Sequence, residues 1–123
     1  MLNLKRLAKS FIYSFRGLAK IFREEQNLRI QALAAILVII ISWLLEIRRL
    51  DWCILLIVIF TVVLMEIVNS AVERIADVLG PRLNNYIKEI KDITAAAVML
   101  ASLAAAVIGL IILGPYFIDL IIF

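Results

Sequence analysis

Apolar residues fall into three long blocks that are separated by short polar stretches. The blocks read IQALAAILVIIISWLL at 30–45, WCILLIVIFTVVLM at 52–65 and AAAVMLASLAAAVIGLIIL at 95–113. A helix needs about 20 mostly apolar residues to cross a bilayer, and the long side chain of Arg29 allows the first block to extend upstream. The predicted spanning helices cover about 29–47, 51–76 and 91–114. Strands are not expected, because open sheet edges cannot satisfy their backbone groups in lipid.

The N-terminal segment, 1–25, shows a different pattern. At about 100° per residue, five basic side chains fall within an arc of about 60°, and leucine and phenylalanine side chains cluster on roughly the opposite side. The basic set is Lys5, Lys9, Arg16, Lys20 and Arg23. This arrangement is typical of an amphipathic helix in the membrane surface, although a soluble helix packed on a partner would share it. The fold class predicted is therefore an all-α integral membrane protein, with a surface helix over 1–25 and a single domain over 1–123.

Composition supports a membrane protein. The chain is 65% hydrophobic with a mean hydropathy of +1.07, whereas soluble domains are about 45–50% apolar. The net charge of +3 is mild and unevenly placed, and we find no nucleic-acid-binding signature. The sequence has no histidine and one cysteine, Cys53. Imidazole chemistry and a cysteine metal cluster are therefore excluded.

Basic residues predict the orientation of the helices. Residues 1–29 hold seven lysines and arginines, 46–51 hold two, 74–91 hold four, and the C-terminal tail holds none. The positive-inside rule puts the N-terminus and the 74–91 segment in the cytoplasm. Gly80-Pro81 should end the second spanning helix, and Gly114-Pro115 should end or kink the third.

Polar side chains form one stripe at the end of the second apolar block, in LMEIVNSAVERIAD. With Glu66 at zero on a helical wheel, Asn69 lies at about −60°, Glu73 at about −20° and Asp77 at about +20°. A carboxylate in a spanning helix is a functional hypothesis by default. The alternative is that these groups only pair with arginines in the headgroup zone.

Two further polar segments should meet this stripe at the same membrane face. REEQNLR precedes the first spanning helix and contains Glu25, and KEIKD precedes the third and contains Lys91 and Asp92. Oxygen ligands without histidine or cysteine suit Mg²⁺, and adjacent basic groups suit a polyphosphate. The four glycines cannot form a Walker A loop. The residues alone therefore predict a membrane protein with a carboxylate and metal site at its cytoplasmic face.

Three segments together resemble the prokaryotic diacylglycerol kinase family. EIVNSAVERIAD at 66–77 is similar to its E-x-x-N-[ST]-A-[IV]-E-x-x-x-D signature, and KDITAAAVML at 91–100 is similar to its K-D-x-x-[AS]-[AG]-A-V segment. FRGLAKIFREEQNLRI at 15–30 resembles a third stretch of the family. Order, spacing and length agree over nearly the whole chain. The E-x-N-x-R-I version, which includes Asn27, resembles the undecaprenol kinase branch.

The resemblance implies an ATP- and Mg²⁺-dependent lipid kinase in the bacterial inner membrane, assembled as a homotrimer with active sites between subunits. It implies that Glu66 is the general base, that Glu25 and Glu73 hold Mg²⁺, and that Asn69 supports Glu66 or the phosphates. The nucleotide-binding set implied is Arg6, Tyr13, Glu25, Asn69, Glu73, Asp77, Lys91 and Asp92. An alanine-rich third span, whose small residues allow close helix contact, also favours oligomers.

Three alternatives to an undecaprenol kinase are open. A diacylglycerol kinase could use the same scaffold, and phosphorylation assays on each lipid would separate the two. An ion or proton transporter could use Glu66 and would show ATP-independent flux. A catalytically silent subunit of a larger assembly would be insensitive to Glu73→Gln.

Overall fold

Every regular element in the described part of the chain is an α-helix. The computed structural model describes residues 1–80 and 85–122. The helices are α1 (Leu4–Glu24), α2 (Gln26–Leu44), α3 (Arg49–Leu79) and α4 (Asn85–Ile122). α2, α3 and α4 are each long and apolar enough to cross a membrane. This confirms the predicted all-helical membrane protein. α3 packs most extensively on α4, less on α2, while α1 contacts α2.

A sharp break at Glu25 separates α1 from α2. Glu25 adopts an extended backbone conformation, with φ −101° and ψ 110°. Nη1 of Arg29 donates to the carbonyl oxygen of Phe22 at 3.3 Å and also to that of Arg23. These bonds satisfy carbonyls that the end of α1 leaves without helical partners. The break therefore leaves the Glu25 side chain at the junction of the two helices.

The α2–α3 turn is tied to the far end of α4 by three side chains, which we call the Tyr116 network. The Tyr116 hydroxyl donates to Oδ2 of Asp51 at 2.6 Å and accepts the backbone N–H of Arg48 at 3.1 Å. Nε of Arg48 donates to the same carboxylate oxygen at 3.3 Å. Asp51 lies in the first turn of α3, where a negative charge also interacts favourably with the helix dipole.

Two helix ends bear on the glycine–proline predictions. α3 ends at Gly80, which takes the left-handed conformation with φ 84°, as glycine often does after a helix; Pro81 lies outside the described residues. α4 runs through Pro115 to Ile122, so Gly114-Pro115 does not end this helix. Proline removes one helical hydrogen bond, but Tyr116, the next residue, is anchored on α3 and holds the end of α4 in place. α4 thus extends beyond the predicted 91–114 at both ends.

Several of the best-buried residues are polar. Glu66 is 2% exposed, Asn69 7% and Ser70 1%. Most large apolar side chains of α2, α3 and α4 are exposed instead. Such a distribution would be unfavourable in water and suits lipid or neighbouring subunits around the helices. The polar interior is centred on the second half of α3.

Tyr116→Phe is expected to lower the free energy of unfolding by about 1–3 kcal/mol, because it leaves a buried carboxylate and a backbone N–H short of a partner. The measurement is an equilibrium unfolding titration in detergent micelles. Thr61→Val is the control, since the Thr61 hydroxyl only donates to the Ile57 carbonyl of its own helix and its loss should cost less. Equal stability of Tyr116→Phe and the wild type would contradict a stabilising role for the Tyr116 network.

Candidate functional site

The predicted acidic stripe on α3 runs from the interior of the bundle to its surface. Glu66 and Asn69 are buried, Glu73 is half-buried and Asp77 is exposed. All four lie on one side of the helix, and their exposure increases towards its C-terminal end. The stripe therefore joins a buried carboxylate to an open polar surface.

Glu25 meets this stripe through a hydroxyl. Oγ of Ser70 donates to Oε1 of Glu25 at 2.8 Å, across 45 positions of sequence. One residue earlier, Nδ2 of Asn69 donates to Oε1 of Glu73 at 3.5 Å. Neighbouring α3 residues thus hold the two carboxylates that were predicted as metal ligands. We call Glu25, Glu66, Asn69, Ser70 and Glu73 the acidic cluster.

Two amide oxygens in or beside the acidic cluster are free to accept hydrogen bonds. Oδ1 of Asn69 and Oε1 of Gln31 are buried, and neither has a hydrogen-bond partner among the described residues. Gln31, in the second turn of α2, also places its side chain against the Glu66 carboxylate. Buried acceptors of this kind are costly unless a partner arrives, which makes the cluster suited to binding a ligand that supplies donors or a cation.

Arg74 provides a positive charge at the edge of the acidic cluster. Its Nη2 lies 2.6 Å from Oε2 of Glu24 and 3.9 Å from Oε1 of Glu25. The hydrogen bond from Arg74 holds the pKa of Glu24 below its ordinary value of 4.5. Glu24 is therefore ionised at neutral pH, and α1 is joined to α3 by an ion pair at this site.

The predicted nucleotide-binding residues of α3 and α4 are next to each other. Nζ of Lys91 donates to Oδ1 of Asp77 at 3.0 Å. Asp92 is exposed and forms no ion pair or hydrogen bond with any other described residue through its side chain. Lys91 and Asp92 thus lie where α4 passes the open end of the acidic stripe.

The two predicted residues on α1 stand apart from the acidic cluster. Arg6 and Tyr13 are exposed, and within the described residues no hydrogen bond or ion pair connects their side chains to α3 or α4. The Arg16 guanidinium lies 5.8 Å from the centre of the Tyr13 ring, a contact within α1. Within the described residues, the part of α1 that carries Arg6 and Tyr13 therefore does not contact the rest of the predicted site.

The described residues also do not form a complete metal-ligand set. Within 1–80 and 85–122, no three acidic or cysteine side chains lie close enough to hold a metal ion together. The donors that are present are carboxylates and amide oxygens, which are hard ligands of the kind that Mg²⁺ prefers. The donor chemistry fits Mg²⁺ with its remaining positions filled by water or phosphate oxygens.

An apolar cavity of about 270 Å³ lies between α2, α3 and α4. Gln31 forms its polar end, and its remaining walls are aliphatic or small side chains. The small residues on α4 are Ser102, Ala105, Ala106 and Gly109. A hydrocarbon chain would meet mostly apolar surface there.

Sequence reasoning missed three residues of this site. Ser70 follows Glu66 by four positions, so helical periodicity would have placed it on the same stripe. Arg74 follows Ser70 by the same interval and lies at the edge of that stripe. Gln31 gave no comparable signal, because a single amide at the start of an apolar helix is also common in headgroup regions.

Comparisons with known proteins agree with the resemblance found in the motifs. The family model described as "Prokaryotic diacylglycerol kinase" matches residues 12–113. The chain is 32% identical to undecaprenol kinase of Bacillus subtilis over 113 residues, 92% of each chain. It is 29% identical to diacylglycerol kinase of Escherichia coli K12 over 112 residues, which cover 91% of this chain and 92% of that one. This membrane protein therefore belongs to the prokaryotic diacylglycerol kinase family.

Proposed function

We propose that the protein transfers the γ-phosphate of ATP to the hydroxyl of a membrane lipid, with undecaprenol as the favoured acceptor. The observation that carries the proposal is the buried carboxylate of Glu66, flanked by Glu25 and Glu73 in the interior of a helix that can span a membrane. Isolated carboxylates are rarely kept at such positions without a function. Membership of a lipid kinase family supplies the reaction class.

Glu66 is assigned as the general base. Its carboxylate accepts the proton of the lipid alcohol as the alcohol oxygen bonds to the γ-phosphorus, and the bond from that phosphorus to the bridging oxygen of ADP breaks. Gln31 lies near the carboxylate and would orient it. Gln31 also lines the apolar cavity, which we assign to the first part of the lipid chain. Positioning of this kind accounts for much of the catalysis of phosphoryl transfer.

Glu25 and Glu73 would hold Mg²⁺, and Asn69 would support Glu66 or the phosphates. When bound, the ion would neutralise charge on the phosphate oxygens. The hydrogen bonds from Ser70 and Asn69 fix the orientation of the two carboxylates. Such supporting bonds commonly decide metal affinity as much as the ligands do.

Lys91, Asp92 and Asp77 would bind the nucleotide at the open end of the acidic stripe, with the Lys91 ammonium directed to phosphate oxygens. Arg6 and Tyr13 would be supplied by α1 of a neighbouring subunit. The separation of these two residues from the acidic cluster within one chain supports that assignment, as does the large exposed apolar surface of α2 to α4. We therefore propose a homotrimer in the bacterial inner membrane, with α1 on the membrane surface and the N-terminus in the cytoplasm.

Diacylglycerol is the second candidate acceptor, because diacylglycerol kinases are among the relatives of the chain. Asn27 favours undecaprenol, since its E-x-N-x-R-I context is the version that resembles the undecaprenol kinase branch.

The expected result of a lipid kinase assay is phosphorylation of both alcohols, with kcat/KM at least about tenfold higher for undecaprenol, a difference of about 1.4 kcal/mol. Purified protein is assayed with MgATP in mixed micelles, and each lipid is titrated at fixed detergent. A reaction without Mg²⁺ is the control. A higher kcat/KM for diacylglycerol would reverse the assignment of the acceptor.

A further inference from the structure

We infer that Arg74 is a polyphosphate-binding residue of the proposed kinase, held in place by Glu24. This inference rests on the proposed function, because it assigns a ligand to the same site. Arg74 immediately follows Glu73 on α3. Its guanidinium carries the one positive charge that forms ion pairs with the carboxylates beside the acidic cluster in the described part of the chain.

The charge balance of the site requires such a residue. Four carboxylates face this region, those of Glu24, Glu25, Glu66 and Glu73, and the guanidinium of Arg74 lies near three of them. A triphosphate that carries one Mg²⁺ is still an anion and would be repelled by this surface. Lys91 contacts Asp77 at 3.0 Å, at the open end of the stripe. Arg74 lies beside the acidic cluster itself, within 3.9 Å of Glu25, and adds a positive charge there that offsets the repulsion.

The Arg74 guanidinium uses only some of its hydrogen-bond donors. Nη2 contacts Glu24 at 2.6 Å, whereas Nε and Nη1 have no partner among the described residues. The Arg74 side chain is 46% exposed, so these donors are open to an incoming ligand. The planar guanidinium matches the oxygens of a phosphate group, which it can bind through two parallel hydrogen bonds.

Glu24 serves as a positioning residue for Arg74. An ion pair between side chains that are 46% and 44% exposed contributes little to stability, because solvent screens it. Its main effect is to fix one edge of the guanidinium, while Nε and Nη1 are left without a partner among the described residues. Removing Glu24 therefore frees Arg74 without removing its charge, whereas removing Arg74 takes away the phosphate contact itself.

The test compares Arg74→Gln with Glu24→Gln, because both substitutions break the same ion pair. Steady-state kinetics give KM for MgATP, KM for lipid and kcat, and the rise in Tm on adding MgATP gives a readout that does not depend on turnover. Arg74→Gln is expected to raise KM for MgATP about 10- to 100-fold, the size of a charge-assisted hydrogen bond, and to abolish most of the rise in Tm. Glu24→Gln should raise that KM less than about threefold.

Arg49→Gln is the matched control, since Arg49 lies in the first turn of the same helix, far from the acidic cluster, and should behave as wild type. Similar kinetics for Arg74→Gln and Glu24→Gln, or an unchanged KM in Arg74→Gln, would overturn the inference and leave only a structural ion pair.

If Arg74→Gln does not fold, Arg74→Lys replaces it. That variant should raise KM for MgATP at least about threefold, because a lysine ammonium cannot form two parallel hydrogen bonds to a phosphate. A wild-type KM would overturn the inference. A wild-type protein that phosphorylates no lipid would instead refute the proposed function, while the Tm readout would still test Arg74.

Discussion

Glu66→Gln is expected to lower kcat for lipid phosphorylation by about 10²- to 10⁴-fold, which is the contribution of a positioned general base. Glutamine has nearly the same shape as glutamate and can keep the contact with Gln31, but its amide cannot take the proton from the lipid hydroxyl. KM for MgATP should change little, because the assigned role concerns the alcohol. The measurement is steady-state kinetics with both substrates varied.

The control for this prediction is Glu46→Gln, which neutralises a carboxylate in the turn between α2 and α3, at the other end of α2 from the acidic cluster. It should leave kcat within about twofold of wild type, since surface substitutions away from special features have small effects. Unfolding titrations of both variants confirm that the fold is retained. A Glu66→Gln enzyme with wild-type kcat would show that another group accepts the proton.

Glu73→Gln and Glu25→Gln are expected to raise the Mg²⁺ concentration for half-maximal rate by more than about tenfold. Each substitution replaces a carboxylate that we assign to the metal with a neutral amide, which is a weaker ligand for a hard cation. Turnover at ordinary Mg²⁺ concentrations should be nearly lost. Magnesium titrations at fixed ATP measure the effect.

Substitutions of the residues that hydrogen-bond to Glu25 and Glu73 give a second, more specific test of the metal assignment. Ser70→Ala and Asn69→Ala remove the hydrogen bonds to Glu25 and Glu73 while leaving both carboxylates in place. Loss of such supporting contacts typically lowers metal affinity about 10- to 100-fold, so both variants should shift the magnesium titration in the same direction but retain measurable turnover at high Mg²⁺. If neither carboxylate variant altered the titration, the metal would have to be held elsewhere.

Helical periodicity predicted much of the candidate site on α3. The wheel placed Glu66, Asn69, Glu73 and Asp77 on one side of α3, and the structure has them on one side. It could not give their depths, because burial depends on where α2 and α4 stop covering α3. Glu66 and Asn69 therefore lie inside, whereas Asp77 reaches the surface and contacts Lys91.

The spacing of polar and apolar residues could not predict contacts between distant parts of the chain. The bond from Ser70 to Glu25 depends on the backbone break between α1 and α2, and the Tyr116 network depends on α4 continuing past Pro115. Local sequence can predict that a helix breaks, or that it ends or kinks at a proline. It does not predict which distant residues are brought together there. Arg74 is a similar case, because its partner Glu24 is 50 residues away.

The most direct test of the central claim is phosphate transfer from γ-labelled ATP to undecaprenol by the purified wild-type protein, with Glu66→Gln measured in parallel. The account predicts Mg²⁺-dependent appearance of label in undecaprenyl phosphate with the wild type and a loss of at least about 100-fold with the variant. Folded wild-type protein that labels neither undecaprenol nor diacylglycerol would contradict it, as would a Glu66→Gln enzyme that labels lipid at the wild-type rate.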